Sequence, residues 1–108
     1  MIRAISIEKD DILTDPEDAA KLLSRALARK IPMRFMGIHA RPEAPAVLVL
    51  LEECEESEPL EFVFSPLESD SEDEILATVT HRYEAGYKTL ATFRIDDISW
   101  GLFARKRR

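Results

Sequence analysis

Both imidazoles of this chain stand beside guanidinium groups. His39 lies two residues before Arg41, and His81 directly precedes Arg82. Imidazole titrates near neutral pH and serves as acid, base or metal ligand. His39, Arg41, His81 and Arg82 are therefore the set that a ligand site or active site between two halves of the chain would draw on. Flanking arginines oppose a bound cation, however, and the simpler reading of each histidine is a surface or half-buried side chain. Cys54 is the single cysteine and stands between Glu52-Glu53 and Glu55-Glu56. Negative neighbours disfavour the thiolate, so a nucleophilic role is not expected. Asp96-Asp97 form a carboxylate pair by spacing, but between two strand-like runs such a dipeptide bonds its own backbone and makes a turn.

The remaining site signatures are absent. Three glycines, at 37, 86 and 101, cannot assemble a P-loop or a dinucleotide fingerprint. One cysteine excludes an internal disulfide and a thiolate zinc cluster. No cofactor and no catalytic residue are expected. The longest apolar stretch, residues 44–51, is far too short to span a bilayer. Acids appear before any apolar leader core could form, so the expected setting is the reducing cytoplasm.

The elements that would position these residues follow a near-repetition. Thr14-Asp15-Pro16-Glu17-Asp18 opens one helix, and Ser69-Asp70-Ser71-Glu72-Asp73 opens another 55 residues later. Asp15 suits the N-cap, Pro16 the first helical position, and Glu17 and Asp18 the positive end of the helix dipole. Apolar residues at helical spacing continue this helix to about Lys30, where Pro32 ends it. Residues 2–7, 33–41 and 47–51 read as strands, with 10–14 a polar link. In the second half, residues 60–64, 88–95 and 99–105 read as strands. The second helix runs to about Ala85, with Ile75, Val79, Tyr83, Leu76 and Thr80 inward and Gly86 as its left-handed cap. The expected fold is α+β: two βαββ units, about 1–53 and 54–105, sharing one mainly antiparallel sheet with both helices on one face. The 108 residues then form a single domain, with 106–108 a frayed basic tail.

Charge is partitioned along the chain. Residues 1–41 carry a balance of +2, residues 42–81 hold twelve acids and no Lys or Arg, and residues 82–108 carry +4. Glu52, Glu53, Glu55, Glu56 and Glu58 begin an acidic run that reads as a solvated connector or as a surface for a protein partner. Arg34, Arg94 and Arg105 come from other strands and could form a basic face for an anion or nucleic acid. Without a known binding module, nucleic acid is not the favoured partner.

The residues Glu84-Ala85-Gly86-Tyr87-Lys88-Thr89-Leu90 through Trp100-Gly101-Leu102-Phe103-Ala104-Arg105-Lys106 resemble a small uncharacterised bacterial domain family. Its members read strand, helix ending in Glu-Gly-Trp or similar, strand, then a strand closing on aromatic and basic residues. The first half departs from that pattern, with Pro32 where the family places its Gly-aromatic pair. The resemblance implies βαββ order and brings no activity.

The functional expectation is a non-catalytic protein–protein interaction or assembly module acting as a homodimer. Helices on one face leave the other face of the sheet to be covered, and a second copy is the simplest cover. Val47, Val49, Leu51, Trp100 and Phe103 are the expected self-association residues. Trp100 and Phe103, three apart on a strand, point to opposite faces.

Overall fold

The computed structural model describes residues 1–27, 31–56, 60–67 and 71–107. Its elements are β1 (Ile2–Glu8), α1 (Lys9–Thr14), α2 (Pro16–Leu27), β2 (Met33–His39), β3 (Ala46–Glu53), β4 (Leu60–Leu67), α3 (Glu72–Glu84), β5 (Lys88–Ile95) and β6 (Ile98–Lys106). The α+β class and antiparallel pairing are as expected from the sequence. One shared sheet is not what forms. There are two three-stranded sheets, ordered β1-β3-β2 and β4-β6-β5. In each, the third strand of its half lies between the first and the second. Each helical crossover therefore passes over a middle strand that arrives later and pairs antiparallel with both neighbours.

Local chemistry sets the boundaries. The Asp15 carboxylate accepts from the Asp18 backbone N–H at 3.1 Å, and Pro16 opens α2. Residues 9–14 are helical instead of a polar link, because Ile12 inserts fully into the core and Lys9 is buried with it. Lys9 Nζ donates to the Arg41 carbonyl at 2.7 Å, and the Lys9 N–H donates to the Pro45 carbonyl at 3.0 Å, which fixes the loop between β2 and β3. Gly86 ends the α3 region at φ 92°, the left-handed geometry that favours glycine. Asp96 and Asp97 make the turn between Ile95 and Ile98, with Asp96 at φ 54°. Lys106 pairs with Leu60 at the end of β6 and so belongs to the sheet, not to a tail. Residues 28–30, expected as the end of the first helix, lie outside the described residues, as do 57–59, 68–70 and Arg108.

One main core joins the two halves. Ile7, Met33, Val47, Val49 and Leu51 of the first sheet meet Leu23 and the alanines of α2, together with Phe62, Phe64, Phe93, Ile95, Trp100, Leu102 and Ala104 of the second sheet. α2 packs on β4, and β2 runs beside β5. The two longer helices do not share a face. α2 lies on the core side of the second sheet, whereas Ile75 and Val79 of α3 pack on the opposite side against Leu67, Tyr87 and Phe103. No α3 residue is buried. Leu76 and Tyr83, expected inward, are exposed instead, and Arg82 takes the inward position over the Phe103 and Tyr87 rings. No helix among the described residues is long and apolar enough to cross a membrane.

Gly101 shows how tightly the outer side of the second sheet is filled. A Cβ built there falls 2.7 Å from Cε2 of Phe103, inside contact distance. Gly101→Ala should lower stability by about 1–3 kcal/mol, the usual cost of overpacking. Chemical denaturation of that variant and of Gly101→Ala/Phe103→Leu measures it, with the double variant recovering part of the loss. A neutral single variant would show that the ring yields freely.

Candidate interaction surface

β3 is apolar from Val47 through Leu51, so either parity could face the core. The structure decides. Val47 and Val49 are 0 % exposed, whereas Leu48 is 38 % exposed and Ile2, on the same face, is 61 % exposed. Odd residues of β1 and β3 point inward; even ones build the opposite face. Its cross-strand rows are Ile2, Glu52 and Arg34; then Ala4, Leu50 and Gly37; then Ser6, Leu48 and His39; and finally Glu8 and Ala46. Met36, the extra residue of a bulge between Phe35 and Gly37, is exposed beside them. The two middle rows contain no Asp, Glu, Lys or Arg. No helix among the described residues covers this face, since α1 and α2 contribute to the core side and α3 lies on the second sheet.

The five residues expected to carry self-association are therefore in the wrong place for it. Val47, Val49, Leu51 and Trp100 fill the main core, and Phe103 lies under α3. The opposite-facing reading of Trp100 and Phe103 does hold, but each side is covered within the chain. The Trp100 indole Nε1–H is buried with no hydrogen-bond partner in the described residues, so this side chain contributes through its volume.

The acidic run and the basic face meet each other. Arg34 donates to Glu52 Oε2 from Nε at 2.9 Å and from Nη2 at 2.7 Å. Arg3 Nε stands 3.5 Å from Glu53 Oε1, and Arg105 Nε donates to Glu61 Oε2 at 2.7 Å. Each of these pairs joins the acid-rich segment 42–81 to a basic flank, because β3 lies between β1 and β2 and β4 lies against β6. The hydrogen bond that Arg34 donates to Glu52 holds its pKa above the usual value, and the bond that Arg105 donates to Glu61 does the same for Arg105. Both guanidiniums thus stay charged up to strongly alkaline pH, and only beyond the ordinary arginine range would rising pH remove their share of the pairing. Arg94 donates to the Asp97 carbonyl at 3.0 Å. Glu55 and Glu56 are exposed, and Glu58 lies outside the described residues. Cys54 is half-buried, its thiol directed to the Glu56 carbonyl at 3.1 Å.

The histidine set is split. His39 and Arg41 line one shallow depression of about 430 Å³ with Pro45, Ala46 and Leu48, at one end of the uncovered face. His81 is exposed on α3. Arg82 turns to Ser65 Oγ at 3.4 Å and lies 5.8 Å from the Tyr87 ring centroid, whose other guanidinium neighbour is Arg105 at 4.6 Å. Neither His81 nor Arg82 lines that depression. Among the described residues, no three His, Cys, Asp or Glu side chains converge to hold a metal. Which of residues 47–51 would lie on the surface escaped the sequence reading, because an unbroken apolar strand carries no sign of its own phase.

No protein-family model, curated protein or solved structure matches this chain.

A double-mutant cycle on Arg34→Ala and Glu52→Ala should give a small favourable coupling that fades in high salt, as expected for an exposed pair. Coupling that is absent at low salt would remove the pair from the account of charge partition.

Proposed function

We propose that this chain is a non-catalytic interaction module that associates with a second copy of itself through the uncovered face of the first sheet. The observation that carries this reading is the exposure of Leu48, Ile2 and Met36 on or beside a sheet face that no described helix covers. Exposed apolar patches of this kind mark contact sites. A second copy fits because the formal charges sit in the end rows, so neutral rows of one copy meet neutral rows of the other. Area limits the strength of the contact. Three strands of seven residues or so present about 14 Å by 23 Å, roughly 300 Å². That is well under the about 800 Å² per partner of a stable complex. The dimer is therefore weak and concentration-dependent, not obligate.

A further protein partner would meet Glu55 and Glu56, which among the described acids of the 52–58 run are exposed and outside the cross-strand pairs. Binding of nucleic acid through the basic strands is disfavoured, since Arg34 and Arg105 are engaged by carboxylates. The likeness of residues 84–106 to an uncharacterised bacterial domain family supplies no activity to add.

Light scattering over a concentration series tests the reading. The mass should rise from 12.3 kDa towards twice that value, and Leu48→Glu should hold it at the monomer without changing the circular dichroism. A mass that stays monomeric up to about 1 mM, where even weak contacts fill, would contradict the proposal.

A further inference from the structure

A cleft on the other side of the first sheet has the build of a ligand site. It opens between that sheet and the C-terminal end of α2, with a volume of about 520 Å³, inside the usual range for small-molecule pockets. Ile5, Met33 and Leu51 form its sheet side, and Ala26 and Ile31 its helix side. Among the described residues, Arg3 is the one charged residue in the lining.

Exposure is graded along the cleft. Met33 and Leu51 are almost fully buried, Ala26 is buried, and Ile31 and Arg3 are about half exposed. The deep end is thus dry and apolar, and the mouth is wet and cationic. The guanidinium is loosely paired. Its nearest approach to Glu53 is 3.5 Å, from Nε to Oε1, against 2.7 Å in the Arg34 and Arg105 pairs, and the guanidinium carries two terminal nitrogens besides. Those nitrogens form the fork that takes a carboxylate bidentately.

We infer that this cleft binds an unbranched aliphatic carboxylate, its chain over Leu51 and Met33 and its head on Arg3. A neutral alcohol of the same length gains the apolar burial and loses the ion pair. An amine gains no ion pair there, since Glu53, the carboxylate beside Arg3, is already engaged by that guanidinium and by the Met1 ammonium at 3.7 Å. The order expected is carboxylate, then alcohol, then amine. This site lies on the core side of the sheet and does not rest on the self-association reading.

The test is a titration of the full chain with octanoate, octanol and octylamine, followed by methyl NMR. Octanoate should shift the Met33 and Leu51 methyls saturably. Arg3→Gln, at an exposed position, should weaken octanoate about tenfold and leave octanol unchanged, because it deletes a charge-assisted hydrogen bond and no apolar contact. Ala26→Phe should block both ligands. The inference is overturned if millimolar octanoate gives no saturable shift, if octylamine binds as well as octanoate, or if Arg3→Gln leaves octanoate affinity unchanged.

Discussion

The structure depends on β3 running antiparallel between β1 and β2. A middle strand must satisfy both neighbours along its backbone, and its side chains alternate between two faces whatever their polarity. Here the strand is apolar on both faces and acidic at its end. Val47, Val49 and Leu51 enter the core, and Leu48 and Leu50 are left on the outer side. Glu52 and Glu53 then lie beside Arg34 and Arg3. One placement produces the core, the uncovered face and the neutralised charge run together.

The second half uses the same strand order with a different outcome. Phe103 and Val63 form the side of β6 and β4 away from the main core, as Leu48 and Leu50 do in the first sheet. There α3 closes over them, held by Ile75, Val79 and the Arg82 guanidinium above two aromatic rings. Because none of its residues is buried, α3 should be the least stable helix to local opening. The first half has spent its helix on the core, where α2 packs against β4 of the second sheet. The face is uncovered because α2 is committed to the core and α3 to the outer side of the second sheet.

Much of the local structure was legible in the sequence, because it depends on residues near in the chain. The Asp15 cap, Pro16, Gly86 and the Asp96-Asp97 turn all act over a few positions, and the structure places each as expected. What depends on pairing was not legible. The split into two sheets rests on which strand lies beside β3, and nothing in residues 46–53 names that neighbour. The parity of 47–51 is unreadable in a strand without polar alternation, so the self-association residues fell on the buried side. The charge partition looked like two surfaces until the strand order brought acid beside base. α1 was missed because a single buried isoleucine in six residues makes no periodic signal.

Contact between the even face of β3 and a second copy can be read from a methyl-resolved dilution series. The Leu48 and Leu50 methyl resonances should move with concentration along one curve, while those of Val47, Val49 and Leu51 stay fixed. Leu48 and Leu50 signals that are constant across the series, or core valine signals that move in their place, would contradict it.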